Sequence, residues 1–260
     1  HQYDVARDFI KLGGLEMILP DLNSTDDQLK AQIAFTLGSA MQGNPQVQIA
    51  VLESGVLQTF LRILMLNSSE KVQLRVIYAI SCLVRQFPLA QKILIQGGGL
   101  TVLASMFKNV NNHYIKLNVK IITLLNDLLL EQQLAVKHAV KNDKISEERL
   151  RQYNSLNLNE SLISEGFCKL IPKLLESPDT DVREKVITAM MSFHFICANQ
   201  FKSSLTTLNK ISSQIKDLAQ EETSQEFNSD SYLTSLQQNV ASLISMIKKI
   251  DNKNKKNKKI

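Results

Sequence analysis

Apolar residues recur along the chain at spacings of three and four, the spacing of a helix with one buried face. The clearest example is the stretch from Val72 to Pro88, VQLRVIYAISCLVRQFP. Its apolar residues form a broad stripe: Val76, Ile77, Ala79, Ile80, Leu83 and Val84. Ser68 and Ser69 offer a cap at its start, and Pro88 ends it and opens the next segment. We therefore predict a buried helix here, with similar helices before and after it.

A glycine recurs at a fixed place in four similar segments. They are FIKLGGLEMIL with Gly13, VLESGVLQTFL with Gly55, LIQGGGLTVLA with Gly98 and LISEGFCKLIP with Gly166. The spacings are 42, 43 and 68 residues. Because glycine adopts a positive φ at little cost, each is predicted to be a sharp bend that opens a short helix. A longer helix is predicted after each one, over residues 25–42, 69–86, 112–131 and 178–199.

A period near 40 residues, built from short, medium and long helices, is typical of armadillo or HEAT-type repeats. The sequence therefore predicts an all-α protein, a right-handed α-solenoid of four three-helix repeats over residues 3–43, 44–87, 88–131 and 159–199. The fourth repeat begins later than the period predicts, which indicates an insertion at 132–158. The first part of this insertion can extend a helix, and its Asn/Ser-rich end is predicted to be an exposed loop. Two atypical amphipathic helices within 200–250 are predicted to cap the array. One domain over residues 1–250 and a disordered basic tail over 251–260 are thus expected.

Composition agrees with a folded helical chain. Of 260 residues 44% are hydrophobic, with only 9 glycines and 5 prolines, which suits long helices around a substantial core. No apolar run approaches the roughly 18 residues of a membrane span, so membrane insertion is not expected. The chain begins at His1 without a methionine or a secretory apolar region, and we interpret it as a fragment.

The basic charge is concentrated at the C-terminus. The last ten residues hold five lysines and Asp251, which accounts for +4 of the net charge of +5. The remaining chain is nearly neutral. Because this tail has no aromatic residue on which a base could stack, it is interpreted as a solvated end, and no nucleic-acid partner is expected.

No pattern of catalytic or metal-binding residues is present. The cysteines, Cys82, Cys168 and Cys197, are odd in number and have no CxxC spacing, so small core residues are the favoured interpretation. The four histidines lack metal-ligand spacing, and the glycines at 97–99 lack the spacing of a phosphate loop. There is no GxSxG or SxxK motif. We therefore expect no catalytic, metal or cofactor site, and a binding protein is the favoured class.

A solenoid presents a concave surface lined by the third helix of each repeat. In peptide-binding armadillo proteins such as importins, those helices carry a ladder of tryptophan and asparagine. The corresponding pairs here are Phe35/Ser39, Tyr78/Cys82, Thr123/Asp127 and Thr188/Ser192, and the chain has no tryptophan. Capture of an extended peptide is therefore disfavoured, whereas a folded partner can still occupy the concavity.

Several segments resemble one family of helical-repeat proteins. They are DFIKLGGLEMIL, VLESGVLQTFLRIL, YAISCLVRQFPLAQKILIQGGGLTVLASMF and IKLNVKIITLLNDLL. They are similar to the armadillo-type nucleotide-exchange factors of Hsp70 chaperones, a family with cytosolic Hsp70-binding proteins and an endoplasmic-reticulum factor that serves BiP. The resemblance runs from Tyr3 to Asn199, and ISCLVR at Ile80–Arg85 is its most specific part. The insertion and the C-terminal helices depart from a compact cytosolic member.

The resemblance implies a partner and an activity. Members of this family embrace lobe II of the Hsp70 nucleotide-binding domain and promote ADP release by stabilising a displaced lobe, for which they need no catalytic residue. The partner implied is BiP. An armadillo scaffold unrelated to Hsp70 is the alternative, and an enzyme or a nucleic-acid binder is less favoured.

The repeat register predicts a partner-binding surface. Lys71, Arg75, Tyr78 and Arg85 lie on one face of the second long helix. The register places that face toward the concavity, beside Lys120 and Asp127 of the next repeat and Glu184 of the fourth. Tyr78 is the strongest candidate, because Tyr and Arg are enriched among interface hot spots.

Three N-glycosylation sequons bear on the compartment. They begin at Asn23, Asn67 and Asn159, each at a predicted loop or helix start. With the insertion and the family resemblance, they favour the endoplasmic-reticulum lumen over the cytosol.

Overall fold

A computed structural model of the chain describes residues 2–66, 69–107, 114–139, 144–223 and 232–257. Every regular element within these ranges is a helix, which confirms the all-α prediction. The chain divides into two compact units, residues 1–161 and 162–260, where the sequence predicted a single domain over 1–250.

The helices follow the predicted three-helix period. The first repeat contains α1 (Gln2–Lys11), α2 (Gly14–Ile18), a 3-10 turn (Pro20–Asn23) and α3 (Asp27–Met41). The second contains α4 (Pro45–Glu53), α5 (Val56–Met65) and α6 (Glu70–Val84). The third contains α7 (Pro88–Gln96), α8 (Gly99–Met106) and α9 (Ile115–Ala139). The fourth contains α11 (Leu158–Ser164), α12 (Phe167–Leu170), a 3-10 segment (Ile171–Glu176) and α13 (Thr180–Phe201).

The four repeated glycines form the predicted bends. Gly13, Gly55, Gly98 and Gly166 each have a left-handed backbone, with φ between 74° and 84°, and each precedes the second helix of its repeat. A Cβ atom added at Gly55, Gly98 or Gly166 would meet nothing within 4 Å. The backbone conformation, and not crowding, is therefore what favours glycine there.

The third helices of the first unit pack in series, α3 on α6 and α6 on α9. All six residues of the predicted stripe on α6 are fully buried, which confirms the buried helix. Pro88 opens α7 as predicted. The predicted cap is wrong in detail, because the Ser69 side chain makes no capping hydrogen bond; its backbone N–H donates to Asp27 instead, at 3.3 Å. Ser68 lies outside the described residues.

The first part of the insertion extends a helix, as predicted, whereas its end is more ordered than the predicted loop. Helix α9 extends through Ala139, and a further helix, α10 (Lys144–Asn154), packs against α9 and α7. Its Asn/Ser-rich end stays folded because Tyr153, Leu156 and Leu158 are buried. Three apolar anchors therefore override a composition that favours turns.

The second unit contains the capping helices. After α13 and a short 3-10 turn (Lys202–Ser204) come α14 (Leu205–Thr223) and α15 (Tyr232–Asn257), and α15 packs against α13 and α14. Most of the predicted disordered tail is helical, since α15 continues to Asn257. No proline or glycine stops the helix there, and lysine is a good helix former. Residues 258–260 lie outside the described residues.

A disulfide links α12 and α13 within the second unit. It joins Cys168 and Cys197, whose Cα atoms are 5.2 Å apart and whose side chains are buried. The prediction of three small core cysteines was therefore wrong for this pair, and Cys82 alone is a buried free thiol. The cause of the error is that a separation of 29 residues matches no short cysteine motif.

Across the described residues, no single helix has both the length and the hydrophobicity of a membrane span. Taken together, α4 and α5 pass that test, but they are bent by 72°. Both helices bury core residues of the first unit, among them Val47, Val51 and Phe60.

Candidate partner-binding site

An arginine and two aromatic rings form a stack between α3 and α6. The Arg75 guanidinium lies 4.2 Å from the centroid of the Phe35 ring, which lies 5.8 Å from that of Tyr78. Tyr78 packs closely against Gly38, where a Cβ atom would come within 2.5 Å of the ring. Such cation–π and aromatic contacts hold partly exposed side chains in one orientation. We call Phe35, Arg75 and Tyr78 the aromatic stack.

The Tyr78 hydroxyl is held in place by two neighbours on and after α3. It lies 3.4 Å from Ser39 Oγ and donates to Gln42 Oε1, also at 3.4 Å. Desolvation by burial raises the pKa of Tyr78 above its ordinary value. The phenol is therefore neutral at physiological pH, and its side chain is half-buried.

An ion pair joins the second and third repeats. Arg85, which directly follows α6, lies 2.5 Å from Asp127 of α9, and both side chains are partly exposed. The contribution of such a pair to stability is small, about 0–1 kcal/mol. Its structural effect is to fix the Arg85 side chain beside α9.

The structure groups most of the predicted site residues within the first unit. Lys71 and Arg75 are exposed on α6, Tyr78 is half-buried there, and Lys120 is exposed on α9. Glu184 is different, because it lies on α13 of the second unit, where its carboxylate is close to the Tyr232 hydroxyl of α15. Desolvation and this carboxylate raise the pKa of Tyr232 to about 12. Glu184 is therefore engaged with a capping helix, whose position the repeat register could not predict.

Two buried glutamines were missed by the sequence analysis. Gln48 donates through Nε2 to the carbonyl oxygens of Cys82 and Arg85, at 2.8 and 3.2 Å. Gln91 donates to the Val84 carbonyl at 3.0 Å. Both satisfy carbonyl groups at the C-terminal end of α6, which a helix leaves without partners.

A sequence signal for these glutamines was available. Each is the third residue after a helix-opening proline, in Pro45-Gln46-Val47-Gln48 and Pro88-Leu89-Ala90-Gln91, and the two copies are 43 residues apart. The repeated P-x-x-Q pattern therefore predicts an amide that anchors the end of α6.

A half-buried carboxylate connects α9, α10 and the turn after α6. Glu131 Oε2 accepts hydrogen bonds from the Gln86 backbone N–H at 2.9 Å, Gln91 Nε2 at 2.7 Å and the Tyr153 hydroxyl at 3.1 Å. Gln86 has a φ of 57°. The equivalent position of the preceding repeat, after its third helix, is a glycine, Gly43, with a φ of 67°. The bond to Glu131 therefore helps to hold a non-glycine residue in a conformation that costs energy.

Burial raises the pKa of Glu131, and the three donated hydrogen bonds only partly oppose this. The folded state then binds the proton more tightly than the unfolded state, so this contribution to stability is present below about pH 4.5, the ordinary value, and is lost as the pH rises through the folded-state pKa. We expect the free energy of unfolding of wild type, relative to Glu131→Gln, to fall as the pH rises from 4.5 towards 7. Urea titrations at a series of pH values measure it. Parallel pH profiles for the two proteins would show that Glu131 is not perturbed.

The sequons differ in their surroundings. Asn23 is exposed, and its side-chain oxygen accepts a hydrogen bond from Arg62. Asn159 is half-buried in α11, and its side-chain oxygen is buried without a hydrogen-bond partner. Asn67 lies outside the described residues. On accessibility, Asn23 is the better candidate acceptor.

In the part of the chain that the structure describes, no group of three or more His, Cys, Asp or Glu side chains could hold a metal ion. The first unit instead presents a surface of arginine, aromatic and amide side chains on α3, α6 and α9. The fold defines an armadillo-like helical-repeat protein, and this surface is its candidate binding site.

Comparison with known proteins then gives the family. Residues 5–248 match the model of the SIL1/FES1/HPBP1 C-terminal domain, and the chain belongs to this family. It is 39% identical over 225 residues to the nucleotide exchange factor SIL1 of Xenopus laevis, an alignment that covers 85% of this chain and 48% of the relative. It is 34% identical over 253 residues to the nucleotide exchange factor SIL1 of Mus musculus, and this alignment covers 96% of this chain and 53% of the relative.

More distant relatives match a smaller part. Hsp70-binding protein 1 of Homo sapiens is 30% identical over 128 residues, covering 49% of this chain and 35% of the relative. The chain spans about half the length of the SIL1 proteins of Xenopus laevis and Mus musculus. Among solved structures, a designed armadillo repeat protein covers 90% of this chain at 16% identity, with a TM-score of 0.46.

Proposed function

We propose that this chain is the Hsp70-binding part of a nucleotide-exchange factor, that its partner is BiP, and that it promotes release of ADP. The observation that carries the proposal is the family match over residues 5–248, which includes every helix of the candidate site. The SIL1 relatives are named as nucleotide exchange factors, and a further relative is named as an Hsp70-binding protein. The chain acts without a catalytic residue of its own.

The proposed mechanism is thermodynamic coupling between two ligands of the chaperone. The chain binds lobe II of the nucleotide-binding domain and prefers the arrangement in which that lobe is displaced and the nucleotide cleft is open. A protein that prefers the open conformer must weaken nucleotide binding, and nucleotide must weaken binding of the protein by the same factor. Rebinding of nucleotide then releases the factor.

The aromatic stack supplies the contact in this proposal. Arg75 and Tyr78 are partly exposed yet held by Phe35, Ser39 and Gln42, so little side-chain entropy remains to be lost when a partner binds. Lys71, Arg85, Lys120 and Asp127 form its charged surroundings. Glu184 is not included, because Tyr232 already engages it.

The endoplasmic-reticulum lumen is the proposed compartment. The Cys168–Cys197 disulfide supports it, because disulfides persist in oxidising compartments and are rare in the cytosol. The exposed Asn23 sequon is consistent with it. Alkylation of free thiols in intact cells, followed by peptide mapping, tests the choice: the lumen requires a linked Cys168–Cys197 peptide. Recovery of both cysteines in alkylated form would instead favour the cytosol.

Release of a fluorescent ADP analogue, followed by stopped flow, tests the exchange activity. With excess unlabelled nucleotide, we expect the chain to accelerate release from BiP at least tenfold, and from a cytosolic Hsp70 less. Heat-denatured chain is the control. A scaffold unrelated to exchange would bind the chaperone, or another protein, without any change in the release rate. Unchanged rates for both chaperones would exclude the proposed function.

A further inference from the structure

A recess in the first unit adjoins the aromatic stack. Its volume is about 510 Å³, and residues of five segments line it. Gln42 contributes from the end of α3, Gln48 from α4, Tyr78 from α6, and Arg85 and Gln86 from the turn after α6. The remaining wall comes from the insertion, through Arg149 of α10. The insertion therefore shapes the surface that the third helices present.

The recess has a positive and donor-rich lining. Two arginines, Arg85 and Arg149, face it, and no carboxylate belongs to its described lining. Arg85 uses one terminal nitrogen for Asp127, which lies outside the lining, while its Nε is buried without a hydrogen-bond partner. The Tyr78 hydroxyl, which donates to Gln42 Oε1, also borders the recess.

The position of Arg149 is fixed by the buried part of α10. Tyr153, one helical turn later, is fully buried and donates its hydroxyl hydrogen bond to Glu131. Arg149 lies over the Tyr153 ring, with its guanidinium carbon 5.8 Å from the ring centroid. Because residues i and i+4 share a helix face, the anchor that docks α10 also directs Arg149 toward the recess.

A second depression extends this positive surface along α10. Its volume is about 380 Å³, it shares Gln86 and Arg149 with the recess, and it adds Lys144 and Glu148. Glu148 lies 3.6 Å from Arg151, outside the recess. Within the described lining of the two depressions, the cations outnumber the carboxylates by three to one.

We propose that this recess binds a carboxylate side chain, an aspartate or glutamate that a folded partner displays, between Arg85 and Arg149. Guanidinium groups bind carboxylates through paired, charge-assisted hydrogen bonds, which makes them well suited to fix one acidic side chain. The positive charge of the lining favours an acidic ligand. Because Tyr78 of the aromatic stack also lines the recess, we expect that ligand to belong to the partner that binds the stack. The inference rests on the proposed function in that this partner is the Hsp70 nucleotide-binding domain.

Charge reversal at Arg149 tests the recess. We expect Arg149→Glu to weaken affinity for the BiP nucleotide-binding domain at least tenfold by isothermal titration calorimetry. Arg151→Glu is the matched control, since it makes the same charge change on the same helix at an exposed residue outside the lining, and it should change affinity less than twofold. Unchanged far-UV circular dichroism and melting temperature show that both variants are folded. Arg149→Gln replaces Arg149→Glu if the latter unfolds.

A small dicarboxylate gives a readout that does not depend on the chaperone. Titration of glutarate into the chain should produce saturable amide shifts at Tyr78, Gln86 and Arg149 in NMR spectra, which Arg149→Glu abolishes and Arg151→Glu retains. If wild type accelerates ADP release but Arg149→Glu binds BiP as wild type does, the inference is overturned and the proposed function stands. If wild type binds no Hsp70, the proposed function fails, and the absence of local glutarate shifts would also overturn the carboxylate site.

Discussion

Replacing both Cys168 and Cys197 by alanine is expected to lower the free energy of unfolding of the second unit by about 3–4 kcal/mol. The disulfide closes a loop of 29 residues, and the chain-entropy model assigns about 3.5 kcal/mol to a loop of this length. It also joins the short helix α12 to α13, so its loss removes the covalent link between two helices of the second unit. Hydrogen exchange read out on peptides of α12 and α13 measures the effect directly.

Cys82→Ala is the control for this experiment. Cys82 is buried but unlinked and lies in the first unit, so its removal should cost at most about 1 kcal/mol and leave exchange in α12 and α13 unchanged. Equal effects of the two alanine variants on the second unit would mean that the disulfide does not stabilise it.

The second large effect is expected at the aromatic stack. The double variant Arg75→Glu and Tyr78→Ala should lose about 2 kcal/mol or more of chaperone binding, roughly a factor of 30 in affinity. It removes two side chains that Phe35 holds in position and reverses a charge, while core residues of α6 such as Val76 and Ile77 stay in place. Helicity should therefore change little. Calorimetric titration with the BiP nucleotide-binding domain measures the affinity.

Lys92→Glu provides a matched charge reversal on α7, at an exposed residue outside the stack, and should bind as wild type does. A double variant that keeps wild-type affinity and wild-type ADP release would place the contact surface elsewhere, and α14 and α15 are then the next candidates.

The sequence was sufficient for features that repeat. The four glycine bends and the buried stripe of α6 follow from local rules applied at a fixed period, and the structure has them where predicted. The register also placed Phe35, Ser39 and Tyr78 on adjacent helices, and their contacts confirm it. Each repeat supplied an independent copy of the same signal.

Features that occur once were the ones missed. The Cys168–Cys197 pair, the docking of α10 through Tyr153 and the engagement of Glu184 by Tyr232 each depend on where a segment without a repeated counterpart packs. No local spacing encodes such a position. The P-x-x-Q pattern is intermediate, because it does repeat and could have been found by comparing the first helices of the second and third repeats.

The three hydrogen bonds to Glu131 also set an order of events during synthesis. Their donors are separated from Glu131 by 45, 40 and 22 residues, and the last, Tyr153, follows it in the chain. Domains fold as the ribosome releases them, with the N-terminal part first. A nascent chain that ends before Tyr153 thus has α6 and the aromatic stack but lacks the anchor that directs Arg149 toward the recess. The stack and the recess are therefore complete only after three repeats and the insertion have been translated. An unfinished chain does not present the complete binding surface.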